Sequence, residues 1–273
     1  MSASCSPPRW TLPSADSSSG CFETMRAYAG KIFRLEAHLQ RLSASANHLG
    51  VRLSMRPAQL GRRLTQAVAR SGIREAIVRV ALIPDAQRLT TPSIVVQPVP
   101  LPPPSAYRRG IRVAVVPTKK FSVSQIDQQA KFSARLGSIM AVMEAHLRGA
   151  DEAIFLDATG SITESTASNL GVIKAGRFLA PPCWLGLLAG ITWHAVAEVA
   201  RDEGMRIQEV PLTRHDLYNA DEVFLSSTIK EVLAVTNVDG RMISDGHPGP
   251  YTRRLHRAFR RLVTRELRLH GRR

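Results

Sequence analysis

The spacing of apolar positions along the chain predicts a mixture of helices and strands. Between Glu36 and Leu49, the apolar side chains Leu39, Leu42 and Ala46 recur every three or four residues, which is the period of one helix face. The same period predicts further helices at Met55–Arg70, Ala134–Arg148, Ile191–Glu203 and Tyr251–Leu269. Short runs of β-branched and apolar residues predict strands at Phe22–Tyr28, Lys31–Arg34, Ala76–Ile83, Ser93–Gln97, Ile111–Pro117, Ala153–Asp157, Asn169–Lys174, Arg177–Ala180, Ile207–Val210, Glu222–Leu225 and Val232–Val238.

Proline divides this pattern into two parts. Residues 98–104 read Pro-Val-Pro-Leu-Pro-Pro-Pro, and proline at that density continues neither a strand ladder nor a helix, so a stiff extended connector is predicted. The predicted organisation is a flexible, Ser/Pro-rich lead-in at 1–20, a small α/β domain at 21–103, an interdomain linker at 104–110 and a large domain at 111–273.

Composition narrows the classes of protein that the chain can be. Its 273 residues are 44% hydrophobic, as in a globular protein, and no apolar run reaches the roughly 18 residues of a membrane span. Lysine and arginine number 37 against 22 acidic residues, and the formal net charge of +15 suits a nucleic acid or a small anionic substrate. With 5% aromatic residues and no zinc-binding or RNA-binding motif, the sequence does not favour nucleic acid.

Cysteine usage bears on the compartment. Cys5, Cys21 and Cys183 are odd in number and widely spaced, so they predict neither a disulfide framework nor a metal site. Few unpaired cysteines are typical of a reducing compartment, and residues 1–20 lack the apolar core of a secretory signal. A cytoplasmic protein without a bound metal is therefore predicted.

Four stretches carry the candidate chemistry. The first joins residues 22–26, Phe-Glu-Thr-Met-Arg, to residues 36–42, Glu-Ala-His-Leu-Gln-Arg-Leu. The second is residues 131–137, Lys-Phe-Ser-Ala-Arg-Leu-Gly. The third joins residues 151–157, Asp-Glu-Ala-Ile-Phe-Leu-Asp, to residues 162–170, Ile-Thr-Glu-Ser-Thr-Ala-Ser-Asn-Leu. The fourth joins residues 187–192, Leu-Leu-Ala-Gly-Ile-Thr, to residues 221–228, Asp-Glu-Val-Phe-Leu-Ser-Ser-Thr.

In this order and at these spacings, the four stretches resemble the class IV aminotransferases, the fold-type IV pyridoxal-phosphate enzymes. That family includes branched-chain and D-amino-acid aminotransferases and 4-amino-4-deoxychorismate lyase. The resemblance runs from about Gly20 to the C-terminal helix, and it implies a two-domain α/β fold. A small N-terminal α/β domain would precede a larger domain with a β-barrel-like core and flanking helices. The resemblance also implies pyridoxal 5'-phosphate between the domains and a homodimer with the site near its interface.

The resemblance assigns the two catalytic residues. The family's lysine, whose amine forms a Schiff base with the cofactor, matches Lys131, and lysine chemistry has few other positions because the chain has only six lysines. Lys119 and Lys120 lie near this motif but outside it. The family's glutamate, which keeps the pyridine nitrogen protonated, matches Glu164. The alternatives are a solvated surface lysine and an exposed glutamate at a strand end.

The resemblance also assigns the groups that bind the cofactor's phosphate. Arg41 matches the family arginine, whose planar guanidinium suits a phosphate. The backbone N–H of Ile191 and the hydroxyl of Thr192 stand at a predicted helix N-terminus, and Ser227 and Thr228 match a second pair of hydroxyls. Arg41 could instead be one more arginine on a helix face. Capping by the threonines is compatible with phosphate binding, and His38 is interpreted as a packing residue.

The chain departs from the family pattern in places that concern substrate handling. The usual Asp-Arg-Gly…Gly-Asp-Gly lead is missing before Phe22, and Ala134-Arg135-Leu136 stands where many members have Asn-Tyr or Asn-Leu. Ile83-Pro84-Asp85 replaces Thr-Arg-Gly, whose arginine helps to hold the substrate carboxylate in D-amino-acid aminotransferase. Trp193 replaces the arginine that commonly follows Gly-Ile-Thr. These changes predict an unusual substrate or weak activity.

Three functions follow from the sequence. The first is 4-amino-4-deoxychorismate lyase of the folate pathway, because residues 22–26, the Lys-x-x-x-Arg-Leu motif and the compact end at residues 249–255 resemble lyases. Lys131 would act as the general base, and pyruvate would leave. The second is an aminotransferase of the D-amino-acid or branched-chain type, in which Lys131 also returns the proton. The third is a catalytically weak or nucleic-acid-binding relative. The predicted substrate of the enzyme is a small anionic amino compound.

Overall fold

A computed structural model describes residues 20–84, 89–120 and 129–269. Most of the predicted lead-in therefore lies outside the described residues. The strands of the described part are β1 Cys21–Tyr28, β2 Lys31–Ile32, β3 Arg52–Leu53, β4 Ala76–Leu82, β5 Leu89–Thr90, β6 Ser93–Pro98, β7 Ile111–Lys119, β8 Glu152–Leu156, β9 Ile162–Ser165, β10 Asn169–Lys174, β11 Arg177–Ala180, β12 Ile207–Glu209, β13 Glu222–Ser227, β14 Glu231–Val238 and β15 Arg241–Met242. The helices are α1 Leu35–His48, α2 Pro57–Ser71, α3 Pro104–Arg109, α4 Leu136–Leu147, α5 Ile191–Asp202, α6 Arg214–Tyr218 and α7 Pro250–Leu269, with a 3₁₀ turn at Cys183–Leu185.

The first sheet is antiparallel and has the strand order β2-β1-β4-β6. Helices α1 and α2 supply the apolar faces that cover it, so that Leu42, Leu60 and Leu64 pack with Met25 and Val78 in one core. The predicted strand at Lys31–Arg34 is shorter than expected. Arg34 has a left-handed backbone with φ of 51° and stands directly before α1, so the chain leaves the sheet there.

The second sheet has nine strands in the order β12-β11-β10-β13-β14-β7-β8-β9, with β15 paired to β14. Its pairings are mixed, since β7 runs parallel to both β14 and β8 whereas β13 is antiparallel to both of its neighbours. Strand β9 also lies against β10, so the sheet curls into a half-barrel around an apolar core. The predicted α/β fold with a barrel-like core is confirmed.

The extended connector that was predicted at residues 98–104 lies between the two sheets, where residues 99–103 form no helix and Pro103 has an extended backbone. Within the linker at 104–110, residues Pro104–Arg109 form the short helix α3. Proline is well tolerated at the first position of a helix, because the N–H that it lacks would have no partner within the helix. Gly110 ends this helix at φ of 76°, and a Cβ atom there would stand 2.4 Å from the Thr236 side chain, so this exit requires glycine. The domain boundaries themselves remain a prediction.

The C-terminal helix α7 covers the second sheet with one face and carries arginines on the other. Leu255 and Phe259 are buried against β13, β14 and α5. Arg254 and Arg261 both bind the carboxylate of Glu203 at the end of α5. Some of the arginines that give the chain its positive net charge thus form ion pairs within the protein. No helix in the described ranges combines the length and the hydropathy that crossing a bilayer would require.

Candidate active site

One pocket between the two sheets collects the residues that the sequence singled out. All seven predicted site residues line it, namely Arg41, Lys131, Glu164, Ile191, Thr192, Ser227 and Thr228. They come from α1, the segment before α4, strand β9, the start of α5 and the end of β13. Their convergence from five separate parts of the chain is a structural finding, whereas the role of each residue stays a prediction.

Lys131 lies on a segment that the first sheet holds in place. The backbone N–H of Phe22 donates to the Lys131 carbonyl at 3.1 Å, and the Ser133 N–H donates to the Gly20 carbonyl at 2.9 Å. The Lys131 N–H donates to the Ser45 hydroxyl oxygen on α1 at 3.0 Å. These contacts fix the backbone of Lys131 from two sides, and its Nζ stands 5.1 Å from the centre of the Phe22 ring.

The surroundings of Lys131 make its amine a better nucleophile than an ordinary lysine. Burial lowers the pKa of Lys131 to about 8, and the positive charges of Arg41 and Arg135 act in the same direction against Glu23 and Glu164. A lower pKa increases the neutral fraction near pH 7, and the neutral amine is the form that attacks a carbonyl group.

Glu164 lies on β9 and is buried, with 7% of its surface exposed. The alternative of an exposed glutamate at a strand end is therefore wrong. One carboxylate oxygen, Oε1, forms an ion pair with the Lys120 ammonium, and Oε2 accepts a longer hydrogen bond of 3.4 Å from the Leu188 backbone N–H. Glu164 is the only acidic residue among the described residues that line the pocket.

Arg41 is held in place by a buried carboxylate. Its Nε and Nη2 donate to Glu23 at 2.6 and 2.9 Å, and Nη1 donates to the Ala189 carbonyl at 2.7 Å. A guanidinium has five N–H donors, so these three bonds leave two for a ligand. His38 is buried, as a packing residue would be, and its Nδ1 lies 2.8 Å from Glu23 Oε2, the oxygen that also accepts from Arg41 Nη2. Sequence reasoning missed Glu23, although it lies within a quoted motif.

The charge state of Glu23 follows from these partners. Burial on its own would raise the pKa of the carboxyl, but the hydrogen bonds from His38 and Arg41 outweigh it and lower the pKa to about 2. Glu23 is thus ionised at neutral pH and anchors the cation that faces the pocket.

The remaining predicted residues form a polar corner at the start of α5. Gly190 precedes this helix with an extended backbone, and a Cβ atom there would stand 1.9 Å from Asn169 Oδ1, so a larger residue would displace the Asn169 side chain. Thr192 is buried in the first turn, and the Thr228 hydroxyl donates to the Thr24 carbonyl at 3.3 Å. The free N–H groups of a helix N-terminus and the neighbouring hydroxyls suit an anion.

Two further cations at the pocket were not predicted. Lys120 stands 11 positions before Lys131 and was set aside as lying outside the motif, yet it lines the pocket. Arg135 belongs to the Ala134-Arg135-Leu136 stretch that stands where many family members have Asn-Tyr or Asn-Leu, and its Nη2 donates to the Thr166 carbonyl at 2.5 Å. Burial and the nearby charge of Arg79 lower the pKa of Arg135. The scarcity of lysine could have drawn attention to Lys120, but no spacing rule indicates its contact.

Trp193 and Ile83, two other departures from the family pattern, lie outside the pocket lining. Trp193 is buried among core aromatic residues, with its ring 5.7 Å from Phe178 and 6.2 Å from Phe224, and it does not line the pocket. Trp193 therefore replaces the family's arginine as a packing residue rather than as a substrate contact. Ile83 follows β4 and is partly exposed, whereas Asp85 lies outside the described residues.

Comparisons with known proteins agree with this arrangement. The model of the family described as amino-transferase class IV matches residues 20–238. A putative branched-chain-amino-acid aminotransferase of Methanocaldococcus jannaschii is 32% identical over 253 residues, covering 90% of this chain and 88% of the relative. The D-alanine aminotransferase of Listeria monocytogenes is 31% identical over 256 residues, covering 90% and 87%.

Solved structures show the same fold. The crystal structure of the Escherichia coli branched-chain amino acid aminotransferase superimposes with a TM-score of 0.86 at 30% identity, covering 89% of this chain and 85% of the other. Other neighbours were solved with pyridoxal or pyridoxamine phosphate. A family match over most of the chain, relatives above 30% identity and the shared fold lead to one conclusion. The chain belongs to the class IV aminotransferases and is a pyridoxal-phosphate-dependent enzyme.

Proposed function

We propose that this enzyme is an amino-acid aminotransferase of the branched-chain or D-amino-acid type, which moves the amino group of a small amino acid to a 2-oxo acid. The observation that carries the proposal is the pocket in which Lys131 and Glu164 meet the polar corner at the start of α5. Amino transfer is favoured over the lyase reaction, which the sequence analysis placed first, because the relatives compared above are a putative branched-chain-amino-acid aminotransferase and a D-alanine aminotransferase.

The donors of the pocket fit the cofactor. Arg41 has two N–H groups that no other atom of the described residues accepts, and the N-terminus of α5 adds backbone N–H groups for a phosphate. The Ser226 hydroxyl lines the same pocket and is buried without a hydrogen-bond partner in the described structure, so it is a further donor for a ligand there. The buried carboxylate of Glu164 suits a protonated pyridine nitrogen.

Each residue has a distinct task in this proposal. Bound pyridoxal phosphate supplies an electron sink, which makes a carbon–hydrogen bond beside the substrate nitrogen acidic. Lys131 would hold the cofactor through its Nζ, and the same amine would act as the general base for the proton of the substrate carbon and as the acid that gives this proton back. Glu164 keeps the ring nitrogen protonated. Arg41, the Ile191 N–H and the hydroxyls of Thr192, Ser227 and Thr228 hold the phosphate.

The motif that favoured the lyase is used for structural contacts. Within residues 22–26, Glu23 binds Arg41 and the Met25 side chain is fully buried in the core. Arg26 is also buried and forms an ion pair with Glu231 at 2.9 Å. Because Glu23, Met25 and Arg26 are committed to the protein interior and Phe22 alone of residues 22–26 lines the pocket, this motif does not by itself select a substrate. The lyase becomes an outcome of the assay below.

Coupled assays test the reaction. With branched-chain L-amino acids or D-alanine as donor, we expect product only when a 2-oxo acid acceptor is present, together with the aminated acceptor in equal amount. As a control, 4-amino-4-deoxychorismate is supplied without an acceptor. Release of pyruvate in that control, with no amino transfer from any donor, would overturn the aminotransferase proposal in favour of the lyase.

We also propose that two copies of the chain form a homodimer through α4. One face of this helix exposes Leu136, Ile139, Met140, Met143 and Leu147, with exposed fractions from 49% to 88%. A contiguous exposed apolar patch of this kind is typical of a surface that another protein molecule covers. The resemblance to dimeric family members names a second copy as the occupant.

Changing this face is expected to separate the dimer. The double variant Ile139→Asp/Met143→Asp should sediment as a 30.0 kDa monomer, whereas the wild type should sediment at about twice that mass. Met242→Asp is the matched control, because Met242 is 69% exposed but lies on β15. A double variant that still sediments like the wild type would place the interface elsewhere.

A further inference from the structure

Lys120 contacts the candidate catalytic carboxylate, and no role has been assigned to it so far. It follows β7, and its backbone N–H donates to the Leu156 carbonyl at the end of β8 at 2.9 Å. Its side chain is 13% exposed, and its ammonium forms the ion pair with Glu164 Oε1 and stands 5.6 Å from the centre of the Phe155 ring. Lys120 is thus anchored by the second sheet and directed at Glu164.

The charges around the pocket show why this contact matters. The described residues that line it include four cations, Arg41, Lys120, Lys131 and Arg135, and one acid, Glu164. Glu23, which is not part of the lining, offsets the charge of Arg41, whereas Arg79 adds a second positive charge near Arg135. Lys120 and Glu164 therefore neutralise each other, and they are the oppositely charged pair that lies within the lining itself.

A carboxylate that serves two cations binds each of them less strongly. The positive charge of the Lys120 ammonium disfavours a proton on any neighbouring nitrogen. It also partly offsets the negative charge of Glu164. At a partly buried site such interactions are screened less than in water, so one added or removed charge changes proton affinity measurably.

We propose that Lys120 is a positioning residue of the active site, which shares the Glu164 carboxylate with the pyridine nitrogen of the cofactor and so weakens the hold of Glu164 on the ring proton. This inference rests on the proposed function, because it takes Glu164 as the partner of the ring nitrogen. In this proposal, Lys120 and Glu164 together set how tightly the ring nitrogen of the cofactor keeps its proton, and Glu164 alone does not. A variant without the ammonium should hold protons on the cofactor more tightly.

The test is a pH titration of the visible absorption of the protein loaded with pyridoxal phosphate. Lys120→Met removes the charge and keeps the length of the side chain, so the midpoint of the titration should rise by about one pH unit, a tenfold change in proton affinity. Lys120→Arg keeps the charge and should retain the wild-type midpoint. Lys119→Met is the matched control, because Lys119 is the exposed neighbour in the chain.

A second comparison separates action through Glu164 from a simple charge effect. If Lys120 acts through the carboxylate, then the shift caused by Lys120→Met should fall to less than half in a Glu164→Gln background. Equal shifts in both backgrounds would overturn the proposal. Circular dichroism checks the fold of each variant, and Lys120→Gln serves as the neutral variant if Lys120→Met does not fold.

The outcomes distinguish this inference from the proposed function. A wild-type protein that develops no visible band dependent on Lys131 would overturn the proposed function and this inference with it. A normal wild-type band whose midpoint is unchanged in Lys120→Met and Lys120→Gln would overturn only the role of Lys120.

Discussion

Replacing Lys131 by alanine should lower the rate of amino transfer by about 10³-fold or more and abolish the covalent attachment of pyridoxal phosphate. The reason is geometric as well as chemical. The backbone of Lys131 is held by Phe22 and Ser45, and burial lowers the pKa of its amine to about 8. Of the described lysines, only Lys120 also lines the pocket, and its ammonium is paired with Glu164.

The measurement is reduction of the loaded protein with borohydride, followed by peptide mapping and by the rate of amino transfer. The wild type should carry the label on the peptide that contains Lys131, and Lys131→Ala should carry none. Lys119→Ala is the control, since this exposed lysine precedes Lys120 and should leave labelling and rate unchanged. Labelling of Lys120 in the wild type, or a Lys131→Ala variant with the wild-type rate, would contradict the assignment.

Replacing Glu23 by glutamine is expected to lower the free energy of unfolding at pH 7 by about 3 kcal/mol. The carboxylate is fully buried, and its pKa is lowered from 4.5 to about 2 by His38 and Arg41 against the effect of burial. A carboxyl whose pKa is lower in the folded state stabilises the protein above its unfolded pKa, and that contribution is lost as the pH falls through the folded pKa. The difference between wild type and variant should therefore shrink to less than half by about pH 3.

Urea unfolding at pH 7 and pH 3 measures this difference directly. Glu36→Gln is the matched control, because Glu36 is an exposed glutamate in the first turn of α1, and it should follow the wild type at both values. The Glu23 variant should also bind pyridoxal phosphate more weakly, since Arg41 loses two of its hydrogen bonds. A stability difference that is the same at both pH values would show that Glu23 is not ionised in the folded protein.

The order of the elements could be read from the sequence because it depends on local spacing. The apolar period of Glu36–Leu49 predicted α1 to within one residue at each end, and the β-branched run at Asn169–Lys174 predicted β10. Two short elements, α6 at Arg214–Tyr218 and β9, were missed because they contain too few residues to show a recurring pattern of apolar positions. Helix α3 was missed, because the proline density of residues 98–104 indicated a break and did not show that Pro104 could begin a helix.

The candidate site divides in the same way. Residues that stand in fixed motifs, such as Lys131, Glu164 and Arg41, could be selected from the sequence, since the family's chemistry requires those residue types at those spacings. Glu23 and Lys120 could not be assigned by spacing, because their roles depend on the side chains that they contact in the folded protein. Glu23 reaches Arg41 from a neighbouring strand, and Lys120 reaches Glu164 across 44 positions of chain.

The sequence by itself therefore determined the family, the cofactor and most of the helices and strands, because motifs and periodicity are local properties of the chain. Only the tertiary structure decided that all seven predicted residues line one pocket, that Glu164 is buried and paired, and that Trp193 belongs to the core. It also showed that several arginines of α7 bind Glu203 and Glu231, which the net charge of +15 gave no means of predicting. Burial and ion pairing depend on side chains that meet from distant parts of the chain, and that proximity exists only once the two sheets have packed together.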